Sequence, residues 1–403
     1  MKIFNMHARA QNTMLISILA ALLTLVSSAA DLNVNDFGAK GDDAATDTLA
    51  IQQAIDRAAE KGGGRVILEG GTFISGTIYL RSAVELHIRK DAVLKGSPER
   101  EHYCKPEDFK QNFASPPEID NTSGGHLIVA HDCENISISG PGTIDGNSSA
   151  FLLDPSGKQY RNWKKGIPFR PGQMIYIVDC RNVNITHLKM RNSPYWTCHI
   201  LNCTNVRVAD CSVRTERKRY RTWNGDGIDI DRCQDTVVEN CDIDTEDDCV
   251  TLRASCAKLL ETPLECRNVT VRNCSLSSAC NAVRVGVGEG TIHECYLSEL
   301  DIKNTTVAVN IISSYSASSR GTDIFNISFS DIKSDSSQFL NLRYGRGEGH
   351  APNAVIKNIL FKNIKAQVKK DNSVAAEKSR PFKNIAFENC SFSLKRQPEK
   401  PKL

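Results

Sequence analysis

Aromatic residues are scarce, at 6% of 403 positions, so a core must be assembled from Ile, Val, Leu and Cys. An excess of one charge is also lacking: 50 basic and 47 acidic residues leave a formal charge of +3. That balance gives no electrostatic footprint for nucleic acid and no general pull toward a membrane surface. After residue 30 no apolar run approaches membrane-spanning length. No metal-ligand spacing is present either, so neither a metal nor a cofactor is expected.

The N-terminus is a different text. Lys2, His7 and Arg9 precede an apolar run from Met14 to Val26, and small residues follow from Ser27 to Ala30. Residues 1–30 therefore read as a secretory signal peptide, and the mature chain is expected to be exported, with no membrane association. The 15 cysteines would suit a disulfide framework in such a chain, but their placement favours another role. Cys203/Cys211, Cys233/Cys241 and Cys266/Cys274 sit eight apart in near-identical contexts. The same context recurs with Ile324/Ile332 and Ile356/Ile364. Positions that exchange Cys for Ile are buried packing positions, where a reduced thiol behaves as a small hydrophobe. Room remains for a bridge or two involving Cys104, Cys198, Cys256 or Cys280.

One helix is expected near the start. Thr46 or Asp47 can cap it, Ile51, Ala54, Ile55, Ala58 and Ala59 form its apolar stripe, and Gly62-Gly63-Gly64 ends it. From Arg65 the pattern is strand, turn, strand, interrupted by a polar stretch at 98–125 that could overhang a groove. An Asn followed by alternating apolar residues then recurs at Asn135, Asn182, Asn205, Asn268, Asn326, Asn358 and Asn384. Units of this length cannot bury their own apolar face, so they must stack. The expected fold is all-β: a single right-handed parallel β-helix over residues 31–393 with an N-terminal capping helix, followed by a frayed tail at 394–403. Asn121, Asn147 and Asn268 lie in N-x-S/T sequons, but the repeated turn position favours an inward asparagine ladder over a glycan coat.

Two acidic clusters carry the chemistry. Asn224-Gly225-Asp226 and Glu246-Asp247-Asp248 flank an alternating stretch, and Asp226 and Asp247 are 21 residues apart. One solenoid coil has about that length, which brings Asp226 and the Asp247-Asp248 pair to one face. Three carboxylates across a cleft suit glycoside hydrolysis. Asp229, Asp231, Asp242 and Asp244 alternate with Ile and read as solvated strand faces. His199 and Trp196 fit a groove lining and a packed position equally well. The run Arg214, Arg217, Lys218, Arg219, Arg221 reads first as a solvated charge run and second as a basic rim for a polyanion.

Several segments occur together: DFGAKGD (Asp36 to Asp42) with the following helix, GPGTIDG (Gly140 to Gly146), NSPYWTCH (Asn192 to His199), NGDGIDI (Asn224 to Ile230) and EDDCVTLRAS (Glu246 to Ser255). In this set and order the chain resembles glycoside hydrolase family 28, the polygalacturonases. The resemblance implies an exported, monomeric glycosidase acting on a pectic polysaccharide with inversion. It implies Asp247 as general acid and Asp226 and Asp248 activating water; Asn224 is a candidate for binding substrate, and Arg253 and Arg284 are cations available to do the same. Two family segments are replaced. Ser278 to Ala282 holds Cys280 and Asn281 where a Gly-His-Gly belongs, and Asn310 and Ile312 stand where an Arg-Ile-Lys belongs. Cys280 there reads as packing or shape. Arg343 and Arg346 in RYGRGEGH are further cations within reach of a groove. Galacturonan and rhamnogalacturonan are both candidate substrates. The alternatives are a polysaccharide lyase and a carbohydrate-binding β-helix without turnover.

Overall fold

A computed structural model describes residues 31–105, 124–160, 167–255, 265–315, 320–345, 353–377 and 380–395. The expected signal peptide, residues 106–123 of the polar stretch, Asn121, Arg346, Cys256 and positions 396–403 lie outside them.

The chain is a right-handed parallel β-helix. Its short strands stack in columns, and every pairing between named strands is parallel. One column carries the site: β1 (Ile128–His131), β2 (Ile175–Val178), β3 (Cys198–Leu201), β4 (Ile228–Asp231), β5 (Val250–Ala254), β6 (Asn281–Gly288) and the end of β7 (Thr291–Ile312). Side chains alternate along each strand. Ile128, Ile175, Cys198, Ile228, Val250, Val283 and Val309 therefore stack inward, each in register with the next. Their outward neighbours form a second row: Tyr176, His199, Asp229, Thr251, Arg284 and Asn310. A parallel sheet of this kind supplies a buried hydrocarbon stack on one side and a polar wall on the other.

The cysteines do what their exchange with isoleucine implies. Cys133, Cys180, Cys203, Cys233 and Cys266 occupy successive coils, and the stack continues through Ile292, Ile324 and Ile356. Cys211, Cys241 and Cys274 form a second stack that runs into Leu300, Ile332 and Ile364. All described cysteines are free thiols. Among them Cys104, Cys198 and Cys280, the described members of the set with room for a bridge, are unbridged.

The helix α1 (Thr48–Glu60) buries Ile51, Ala54, Ile55 and Ala58 against the first coils. The Gln52 side chain donates to Tyr79 O (3.0 Å) and accepts from Tyr79 N (2.7 Å), which occupies a strand backbone that would otherwise be an open edge. Asp47 stands at the cap position but does not cap. Its carboxylate accepts from the backbone of Lys40 (2.8 Å) and Gly41 (3.3 Å), pinning the preceding loop instead.

The asparagine ladder exists, but on the outside. Asn384, Asn358 and Asn326 donate in sequence down the coils at 2.8–2.9 Å, and Asn205 and Asn182 repeat the pattern at 2.7 and 2.8 Å. These residues are exposed. They have φ between 53° and 56°, a left-handed conformation asparagine tolerates better than most residues. The corner geometry turns the amide outward, where it meets the next amide. Asn268 has joined the ladder through Asp235 (2.6 Å).

Candidate active site

The register stacks Trp196, Asp226 and Asp248, just before strands β3 to β5, on Asn281 at the start of β6. Backbone bonds fix the pile: Thr197 N to Asp226 O (2.8 Å), Gly227 N to Asp248 O (2.8 Å) and Cys249 N to Asn281 O (3.0 Å). Gly227 is required by this closeness, since a Cβ there would stand 2.4 Å from Cys249 O. The two acidic clusters thus meet because one coil separates them, with the Asp247 N–H on Gly225 O at 3.3 Å.

The three carboxylates differ in surroundings. Asp248 is buried and receives Arg284 through two nitrogens, one at 3.2 Å, and the Asn281 amide at 2.5 Å. Asp226 is buried, and its Oδ1 has no hydrogen-bond partner among the described residues. Burial first, then the charges of Asp229, Asp247 and Asp248, push its carboxyl well above the usual range. Asp247 alone keeps a partly exposed surface. Burial and then Asp248 push it up to about 7, against the pull of Arg284 and the Cys280 thiol. A carboxyl group that keeps its proton near neutrality beside Asp248, which accepts hydrogen bonds from Asn281 and Arg284, is the division of labour an acid/base pair needs.

Sequence reasoning missed what lies underneath. Asp229 and Asp231, expected as solvated, are 0% and 1% exposed. Arg253, His199 and Ser255 close over these two carboxylates, so alternation with isoleucine marks a buried polar row here and not the solvent. Arg253 links this buried row to the first acidic cluster: its guanidinium donates to Asp229 at 3.0 Å, lies 3.6 Å from Asp226 and stacks 4.2 Å above the Trp196 ring. Burial disfavours the Asp231 charge, but hydrogen bonds from His199 and Ser255 outweigh it and hold its pKa low. His199 and Trp196 are therefore packed supports of the wall. Arg170, buried and without a motif around it, donates to Pro194 O at 2.9 Å and to Trp223 O, tying together the segments that precede β3 and β4. Its position in the loop before β2 carried no periodic signal.

The other expected residues fall as follows. Asn224 sits at φ 53° beside Asp226, and its Oδ1 is buried with no partner among the described residues. Arg253 and Arg284 are in the site but engaged with carboxylates. Arg214, Arg217 and Arg221 pair with Asp242, Asp244 and Glu246. Ligand atoms of Asp247, Asp248 and Cys280 lie within 4.8 Å of one another. That donor set fits Ca²⁺ poorly, because a thiol is a soft ligand and Arg284 already neutralises Asp248. Among the described residues no helix is long and apolar enough to cross a membrane.

A parallel β-helix with a carboxylate cluster on one wall defines a class of polysaccharide-acting proteins. The sequence profile of "Glycosyl hydrolases family 28" matches residues 109–399, and that of "Rhamnogalacturonase A/epimerase, pectate lyase-like" matches 32–138. The chain belongs to glycosyl hydrolase family 28. It is 26% identical over 225 residues to a probable polygalacturonase of Vitis vinifera, covering 54% of this chain and 43% of that protein. It is 23% identical over 319 residues to an exopolygalacturonase of Cochliobolus carbonum, covering 69% and 66%. The chain thus spans less than two thirds of the length of each. In fold it is similar to a hyperthermoactive exopolygalacturonase from Thermotoga maritima, with TM-score 0.73, 22% identity, and 91% and 88% of the two chains covered.

Proposed function

We propose that this protein is an exported glycosidase that hydrolyses a pectic polysaccharide with inversion, as a single β-helix domain over residues 31–393. Asp247 protonates the departing glycosidic oxygen. Asp226 and Asp248 hold a water and direct it at C1 from the opposite face, so no covalent sugar intermediate forms. Asn224 offers its unpaired carbonyl oxygen to a sugar hydroxyl or to that water. Arg253 and Arg284 fix the carboxylates and face the substrate with what remains of their charge. The observation that carries this reading is the single partly exposed, proton-holding carboxyl of Asp247 between two buried ones. The names of the relatives, polygalacturonase and exopolygalacturonase, support the substrate class.

The test is release of reducing ends from polygalacturonan, rhamnogalacturonan and substituted pectins, wild type against Asp247→Asn. General acid catalysis contributes roughly 10²–10⁴-fold, so a loss of that size on the active substrate is expected. Binding retained in both proteins with no turnover on any substrate would overturn the reading in favour of a binding protein. An unsaturated product lost on chelation would replace it with a lyase.

A further inference from the structure

We propose that Cys280 is a positioning residue for the proton on Asp247. Thirteen described cysteines besides it are free, and most lie in the buried stacks. Cys280 is outside those stacks, partly exposed, with Sγ inside the 4.8 Å cluster of the Asp247 and Asp248 oxygens. Its lone-pair side is occupied: Asn281 Nδ2, 2.5 Å from Asp248, also stands 3.0 Å from Sγ. The single thiol hydrogen is thereby left free to turn toward Asp247, a carboxylate oxygen of which lies within 4.8 Å of Sγ. The backbone is held as firmly. One hydroxyl, Ser278 Oγ, donates to Asp247 O at 2.5 Å and accepts from Cys280 N at 2.8 Å, while Val307 N binds Cys280 O at 2.9 Å. Acid and thiol are locked to one another through a shared serine.

The consequence is chemical. An S–H donor on one carboxylate oxygen fixes the carboxyl plane and stabilises the ionised form, which opposes burial and makes Asp247 a readier proton donor. The charged and titratable groups facing Asp247 are Glu246 and Asp248 on its own segment, Asp226 from the coil before, and Arg284 and Cys280 from the coil after. Of these only Cys280 offers a donor hydrogen without carrying charge, so it tunes the acid without competing for an anionic substrate.

The inference rests on Asp247 being the acid, and two readouts keep the two claims separable. In Cys280→Ala the alkaline limb of kcat is expected to move up by about half a pH unit or more, with kcat reduced several-fold and KM little changed. Cys280→Ser, which restores a donor, should bring the limb back toward wild type. The second readout needs no substrate: the titration of the Asp247 carboxyl carbon, followed by NMR in protein labelled at aspartate, should shift upward in Cys280→Ala. Superimposable Asp247 titrations in wild type and both variants would overturn the proposal, whatever the activity. A shifted titration in a protein without turnover would leave the thiol's role intact and remove the glycosidase reading. If the Ala variant fails to fold, Cys280→Val, which also lacks a donor, carries the same comparison, and an Asp247 titration unchanged from wild type there counts against the proposal.

Discussion

Arg253 donates to Asp229 at 3.0 Å beneath the cleft, and both side chains are almost wholly buried. The same guanidinium lies 3.6 Å from Asp226. One cation thus serves two carboxylates of one loop–strand segment, and the charge on Asp229 is the largest electrostatic influence raising Asp226.

Replacing Asp229 by Asn removes that influence and releases Arg253 toward Asp226. The Asp226 proton affinity falls, so the acid limb of the pH–rate profile is expected to move to lower pH. Removing the cation instead, with Arg253→Ala, leaves buried carboxylates uncompensated, which costs about 3–5 kcal/mol. Chemical denaturation should register that loss. An unshifted acid limb in Asp229→Asn would show that the two carboxylates are not coupled.

With Asp247 as the proposed acid, its proton sets the opposite limb. Its pKa is raised to about 7 in the folded protein, above the ordinary aspartate value of 3.8. Activity that requires the protonated acid is therefore present below this value and lost as pH rises through it. The linkage has the same sign for stability: this group's contribution is complete below the ordinary aspartate range and disappears as pH rises to about 7 and beyond. Denaturation midpoints of wild type and Asp247→Asn across that interval should converge at low pH and separate at high pH, with the Asn variant the more stable.

Gly227→Ala tests the stacking itself. Its Cβ would meet Cys249 O at 2.4 Å and Ile243 Cγ2 at 2.9 Å. The coils must separate where Asp226 and Asp248 are aligned, so activity should fall by two orders of magnitude or more, because small displacements of reacting groups are costly. Wild-type turnover in this variant would show that the register is not needed.

The inner cysteines make a separate prediction. Cys266 lies between Cys233 and Ile292 in its stack. Cys266→Val should change stability by less than about 1.5 kcal/mol, whereas Cys266→Ser buries a hydroxyl and should cost about 1–3 kcal/mol. Thiol labelling of the native protein should reach Cys104, Cys280 and Cys390 before the buried eleven.

Much of this was legible in the sequence because a solenoid repeats its physics. The Cys–Ile exchange at eight-residue spacing, the recurring Asn and the one-coil distance between Asp226 and Asp248 all report stacking. What failed was the meaning of outward. In an isolated sheet Asp229 and Asp231 would be solvated; here Arg253, His199 and Ser255 pair with them and exclude solvent, and such pairing has no periodic signature. The asparagines failed for a related reason. Their spacing marks a corner, but only the left-handed φ decides that the amide faces out. Asp47 shows the limit at a single residue, since a cap-forming side chain had two backbone targets and took the earlier one.

The two ends of the coil stack are finished differently. At the start, α1 seats its apolar stripe over the first turns and Gln52 closes a strand edge. At the other end Phe387, Phe392 and Leu394 are 43%, 38% and 60% exposed among the described residues. In an array whose repeats touch only their neighbours, loss of order starts where the last repeat is least held. This protein should therefore unzip from its C-terminal coils toward the catalytic ones, and the enzyme can lose its last turns to heat or protease before its chemistry notices.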